Sequence, residues 1–195
     1  MHVTIVNYQE DWPLQFLQEK KTIEDILTLL HPTVEHIGST AIPGMSAKPV
    51  IDILVGVKQS SHLDLVVRPL LNNKYNYVKK YESLWPNRRL FVKAKPINRK
   101  YLPAIIDVHH GFQSGVDYQT TANIHVVILD SFHWLRHIAF RDYLKAYWHE
   151  RNRYLWLKTS LARLEFKEMQ DYNLAKDALI KELESKAIKW YLQQL

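Results

Sequence analysis

The sequence predicts an α/β protein in which a mixed β-sheet is flanked by helices and followed by a C-terminal helical layer. Strand-like runs alternate with segments of helical period as far as about residue 130, and the remaining chain has helical spacing throughout. The almost continuous apolar run 50–57 predicts a central strand. We expect one domain over residues 1–195, with a core of about 1–130 and a helical part of about 131–195.

The first half of the chain predicts two helices and two strands in alternation. Apolar residues recur on one face from 11 to 30, and this helix should stop before Pro32, because a residue that precedes proline disfavours the α conformation. A short strand over 34–37 follows. The central strand over 50–57 comes next, and then a helix over 62–73.

The second half predicts shorter strands and then three helices. The strands are expected over residues 90–94, 104–109 and 124–129. The polar stretch 111–122 predicts a loop or a hairpin connection. Ser131 is positioned to cap the first helix of the C-terminal layer. The second helix is expected over 150–167, and the third begins near Asp171.

Composition and charge narrow the classes of function. The chain of 195 residues has no cysteine, which excludes disulfides, thiolate zinc sites and cysteine nucleophiles. It begins without a signal peptide and has no apolar run long enough to span a bilayer, so we expect a cytoplasmic protein without a membrane partner. A formal net charge of +6 favours anionic partners, although it also serves solubility. The oligomeric state is not predicted.

One short stretch carries most of the chemistry. Gly38-Ser39 follows a predicted strand, and a turn of this kind can present backbone N–H groups and a hydroxyl to a phosphate. Twelve residues lie between Ser39 and Asp52, whose carboxylate on the next strand is a candidate ligand for a divalent cation. Lys48 adds a positive charge near the same anion. Each feature also has a purely structural interpretation as a common turn or a satisfied buried carboxylate.

The segment from His36 to Ile53, which reads HIGSTAIPGMSAKPVIDI, resembles the GrpB family, the glutamate-rich protein B family. Other parts of the chain resemble the same family: Tyr8 with Trp12-Pro13, Arg88–Lys93, Asn123–Val127, Trp134–Leu144 and Tyr172–Lys176. The family is related to the nucleotidyltransferase superfamily of DNA polymerase β. The resemblance therefore implies a nucleotidyltransferase-like sheet.

The resemblance implies a site and also a departure from the superfamily pattern. In that pattern Gly-Ser is followed by a strand that carries Asp-x-Asp/Glu. Gly38, Ser39 and Asp52 match, but Leu54 stands at the second carboxylate position. A two-metal reaction needs paired carboxylates, so a Mg²⁺ site would consist of Asp52 with His125 as the further candidate. The third carboxylate of the superfamily pattern comes from a later strand, where this chain has Asn123 and His125, and Asp107 is an alternative.

Arg141 is a further candidate, and it lies in the segment Trp134–Leu144 that resembles the family. Arg141 could reach the Gly-Ser turn and bind a ligand phosphate, or it could form a salt bridge that locks the helix to the sheet.

Three hypotheses follow for the function. The first is a nucleotidyltransferase-like protein that binds a nucleotide or a phosphorylated small molecule and transfers a nucleotidyl group with Mg²⁺. The second, which the leucine at position 54 favours, is a non-catalytic ligand-binding or interaction domain that retains the fold. The third and weakest is RNA binding through the positive surface, which would depend steeply on salt.

Overall fold

The computed structural model describes residues 3–97, 102–109, 116–167 and 169–195. Its strands are β1 (Thr33–Ile37), β2 (Ile51–Val57), β3 (Asn76–Tyr77), β4 (Arg88–Pro96) and β5 (Tyr118–Ile128). They form one sheet in the order β1-β2-β5-β4-β3. β2 and β5 are parallel and the other neighbours are antiparallel, so the predicted mixed sheet is confirmed.

Helices cover both faces of this sheet. They are α1 (Trp12–Ile26), α2 (His62–Leu65), α3 (Val67–Asn72), α4 (Phe132–Ala146), α5 (Trp148–Ala162) and α6 (Met169–Leu192). The predicted cap of α4 is present, since Ser131 Oγ accepts a hydrogen bond from the Trp134 backbone N–H at 3.3 Å. In the described part of the chain, no helix has both the length and the apolar character to cross a membrane. The cytoplasmic location stays a prediction.

The side-chain alternation of the central strands assigns them to two cores. Ile53 and Val55 of β2 face α1 and α3 in the larger core, together with Ile124 of β5. Leu54 faces the opposite side, where it packs with Ile138 of α4. Asp52 shares that second face with Leu54, because both lie at even positions of β2. The predicted site therefore opens toward the C-terminal helices.

The C-terminal helices enclose the loop that connects β1 to β2. Ile42 and Met45 of this loop are buried against Tyr143 of α4, Tyr154 of α5 and Leu183 of α6. Burial of this apolar surface anchors the loop, with Ser39 at its start, to a layer that is more than 90 residues away in sequence. The helical layer thus forms one wall of the candidate site.

Two predictions of secondary structure were wrong. The predicted strand 104–109 is irregular, because Ile105 makes only an isolated bridge to Tyr77. The predicted loop or hairpin connection 111–122 is a strand from Tyr118 onward, and residues 111–115 lie outside the described part of the chain. This part of β5 pairs only with β4, beyond the end of β2, so most of its side chains meet solvent and show no apolar alternation.

Candidate functional site

The Gly-Ser turn brings the backbone against the carboxylate of Asp52. β1 ends at Ile37, which is paired with Asp52 of β2, and Gly38 then turns the chain with a φ of 71°. A Cβ atom on Gly38 would lie 2.4 Å from Asp52 Oδ2, a distance that no side chain can occupy. Glycine is required here both for its positive φ and for this close approach. Ser39 begins a short 3₁₀ turn directly beside the carboxylate.

Asp52 is an ionised carboxylate held by neighbours on β5. Asn123 is its partner in the parallel register and donates a hydrogen bond from Nδ2 to Asp52 Oδ1 at 2.8 Å. His125 lies two residues further along the same face, with Nε2 3.8 Å from the same oxygen. Burial raises the pKa of Asp52, but the interactions with His125 and Asn123 outweigh it and bring the pKa below its ordinary value. The side chain remains 30% exposed and can meet a ligand.

The hydrogen atoms of His125 are placed by an arginine. Arg88 Nη2 lies 2.7 Å from His125 Nδ1, and a guanidinium can only donate, so Nδ1 is the acceptor. Burial and the positive charge of Arg88 lower the pKa of His125, which is therefore neutral. Its one ring hydrogen must then be on Nε2 and must face Asp52. The imidazole thus directs an N–H toward the carboxylate from a distance of 3.8 Å.

Lys158 of α5 reaches the turn from the helical layer. It is 4% exposed, and its ammonium donates to Ser39 Oγ at 2.8 Å and to the Ser46 carbonyl at 3.1 Å. Burial lowers the pKa of Lys158 to about 7, and repulsion from Lys176 of α6 contributes to the same shift. At neutral pH a modest change in its surroundings decides whether Lys158 is charged.

Two further lysines share this environment. Burial lowers the pKa of Lys176 to about 8, with a contribution from the charge of Lys48. Burial also lowers the pKa of Lys48. The carboxylate of Asp52 acts in the opposite direction on Lys48, Lys158 and Lys176, which shows that all three ammonium groups lie within its field. Three lysines thus lie within the field of one carboxylate.

The structure brings together most of the residues that the sequence singled out. Gly38, Ser39, Lys48, Asp52 and His125 all belong to one cluster around the Asp52 carboxylate. A groove of about 370 Å³ lies beside Ser46, but none of these five residues lines it, so we do not assign it to the site. The roles predicted for the individual residues stay predictions.

Arg141 forms its hydrogen bonds with residues outside the cluster around Asp52. Its Nη1 donates to Glu35 Oε2 at 2.6 Å and to the His36 carbonyl at 3.0 Å. Its Nε and Nη2 donate to the two carboxylate oxygens of Asp142 at 2.7 and 3.0 Å. These bonds hold α4 against β1, which corresponds to the salt-bridge interpretation of this residue. A role in phosphate binding stays a prediction.

Lys158 was missed by the sequence reasoning. It lies inside the predicted helix 150–167, where a single lysine in a polar segment gives no indication of burial. Its spacing of four residues from the buried Tyr154 is the one local signal that places it on the inner face of α5. Lys176 ends one of the segments that resemble the family, and no role was predicted for it from the sequence.

The donor set around Asp52 does not fit a pair of divalent cations. Leu54 is fully buried and packs against Ile37, Val127 and Ile138, so the second carboxylate position belongs to the core. Within the described ranges, no three His, Cys, Asp or Glu side chains come together as metal ligands. Asp107 accepts a hydrogen bond from the backbone N–H of Val108 at 2.6 Å. A two-metal centre needs more oxygen ligands than Asp52 supplies.

Comparison with known proteins identifies the family. The family described as GrpB protein matches residues 2–186. A UPF0157 protein of Halalkalibacterium halodurans is 31% identical over 95% of this chain and 82% of its own length. Glutamate-rich protein GrpB of Alkalihalophilus pseudofirmus is 31% identical over 93% of each chain. The crystal structure of the conserved protein GrpB from Enterococcus faecalis is similar with a TM-score of 0.76 and 30% identity, over 97% of this chain and 99% of the other. The chain belongs to the GrpB family.

Proposed function

We propose that this GrpB-family protein binds a nucleotide or another phosphorylated small molecule at the cluster around Asp52. The observation that carries the proposal is the ammonium of Lys158, which is 4% exposed and donates to Ser39 Oγ at 2.8 Å, while Lys176 lies with it in the field of Asp52. Elsewhere in the protein, cations of comparable burial are paired with carboxylates, as Arg141 is with Glu35 and Asp142. A buried ammonium that contacts a Gly-Ser turn is suited to an anionic ligand.

The free-energy cost of burying the ammonium groups of Lys158 and Lys176 supports a role in ligand binding. Lowered pKa values of Lys158 and Lys176 mean that the folded protein holds their charged forms less favourably than water does. A phosphate group would compensate these charges and restore their ordinary protonation. Ser39 adds a hydroxyl whose oxygen already accepts from Lys158, so its hydrogen can be donated to a phosphate oxygen.

The same geometry favours binding over two-metal nucleotidyl transfer. The fold resemblance to nucleotidyltransferases would imply Mg²⁺ held by two or three carboxylates, and here Leu54 and Asn123 stand near Asp52 instead. We therefore favour the ligand-binding alternative, with transfer as the second candidate. RNA binding has less support, because the lysines that carry the proposal form a compact cluster and not an extended groove.

Isothermal titration calorimetry with ATP, GTP, CTP, UTP and inorganic phosphate tests the proposal. We expect at least one of these anions to bind the wild-type protein and to bind Lys176→Gln at least tenfold more weakly. Lys189→Gln, which removes an exposed lysine from the same helix, is the matched control and should bind as the wild type does. No binding of any of these anions, or equal binding to both variants, would refute the proposal.

A further inference from the structure

We infer that the site binds its phosphate through lysine ammonium groups without a divalent cation, and that its ligand carries a dianionic phosphate such as a phosphate monoester. This inference rests on the proposed function and specifies the substrate class of the same site. It is carried by the hydrogen-bond partners of Asp52 and His125 together with the charges that surround them.

The carboxylate of Asp52 is a single oxygen ligand group that lies between hydrogen-bond donors and backbone. Oδ1 accepts the hydrogen bond from Asn123 Nδ2 at 2.8 Å and faces Nε2 of His125 at 3.8 Å. Oδ2 is covered by the backbone of Gly38, where even one added carbon atom would come within 2.4 Å. The neighbours of this carboxylate are therefore donors and backbone. These surroundings suit a carboxylate whose role is to orient the N–H groups next to it.

His125 is in the wrong tautomer to complete a metal site. A histidine that ligates a metal through Nε2 donates its other ring N–H, on Nδ1, to a carboxylate or carbonyl group. Here the partner of Nδ1 is the guanidinium of Arg88 at 2.7 Å, which reverses that arrangement. The Nε2 hydrogen faces Asp52, so no lone pair of the ring is directed into the cluster.

The charge of the cluster selects against a cation and for a dianion. Arg88, Lys158 and Lys176 all lie within the field of the Asp52 carboxylate, so a bound Mg²⁺ would add two positive charges to a site in which cationic side chains already outnumber this anion. A phosphate monoester above its second pKa of about 6 carries a charge of −2 and would compensate these cations.

Calorimetric titration of inorganic phosphate and AMP, each in EDTA and in excess Mg²⁺, tests the inference. We expect binding in EDTA with an affinity that Mg²⁺ changes by less than about twofold, and at least a tenfold loss of that affinity in Lys176→Gln but not in Lys189→Gln. Binding that occurs only with Mg²⁺ would overturn this inference and leave the proposed function standing. No binding of the wild-type protein under either condition, with ATP, GTP, CTP and UTP also silent, would overturn both.

A direct titration with Mn²⁺, followed by electron paramagnetic resonance, gives an independent measurement on the folded wild-type protein. We expect no Mn²⁺ to bind at submillimolar concentration. A Mn²⁺ signal that is present in the wild-type protein and lost in Asp52→Asn would contradict the inference, whatever the result for phosphate.

Discussion

Replacement of Lys158 by methionine should stabilise the folded protein at low pH and remove its ability to bind phosphate. Lys158 is 4% exposed, and burial lowers the pKa of its ammonium from 10.5 to about 7. Methionine has a similar length and no charge, so Lys158→Met removes the cost of burying an ammonium. The variant also loses the hydrogen bonds to Ser39 Oγ and the Ser46 carbonyl.

The magnitude and its pH dependence follow from the pKa of Lys158. Below pH 7 the lysine is protonated in both the folded and the unfolded chain, so the whole cost of burial is present, about 5 kcal/mol at about 1.4 kcal/mol per pKa unit. The two lost hydrogen bonds offset about 2 kcal/mol of this. Between pH 7 and pH 10.5 the folded protein has released the proton while the unfolded chain still binds it, so the wild type gains stability as the pH rises.

Urea unfolding of both proteins at pH 6 and at about pH 9 measures the effect. We expect Lys158→Met to be more stable by about 3 kcal/mol at pH 6, and we expect this advantage to fall by about 3 kcal/mol by pH 9. Lys189→Met is the control, because it removes an exposed lysine and should show no such change. If the difference between Lys158→Met and the wild type were the same at both pH values, the assignment of a lowered pKa to Lys158 would be refuted.

Three further predictions concern the turn, the arginine and the ligand. Gly38→Ala should lower the free energy of unfolding by about 3 kcal/mol and abolish phosphate binding, since a methyl group there meets Asp52. Gly44 has a similar positive φ, but a methyl group there would come within 4 Å of no other part of the described chain, so Gly44→Ala is the control. It should lower the free energy of thermal unfolding by only about 1 kcal/mol. Equal losses of unfolding free energy in Gly38→Ala and Gly44→Ala would contradict a clash between the added methyl group and Asp52. Arg141→Gln should cost about 2 kcal/mol of stability by separating α4 from β1 while phosphate affinity stays within about twofold in calorimetry, and a selective loss of affinity would instead place this arginine in the site. Phosphate affinity should fall at least tenfold between pH 7 and about pH 9, because Lys158 and Lys176 lose their protons there while the phosphate remains a dianion, and a flat calorimetric pH profile would contradict their participation.

Local signals in the sequence were sufficient for the central strand, the Gly-Ser turn and the cap of α4. An apolar run predicts β2 because its side chains are buried on both faces, and Ser131 predicts a helix start because its hydroxyl meets a backbone N–H three residues away. Gly38, Ser39 and Asp52 could be joined by their spacing, since β1 and β2 are neighbours in both sequence and sheet. Local signals failed at residues 104–109 and at the start of β5, where Ile106 and Tyr118 are buried but the residues around them show no apolar alternation that identifies a strand.

The tertiary structure alone decided the chemistry of the site. Lys158 meets Ser39 across 119 residues of chain, and Asn123 meets Asp52 across 71, so neither contact has a local signature. The tautomer of His125 depends on Arg88, which lies 37 residues away on the antiparallel neighbour β4. Burial and charge depend on which helices close over the sheet. A sequence can therefore specify the carboxylate and the turn, whereas the lysines that surround them acquire their lowered pKa values only when the helical layer has packed.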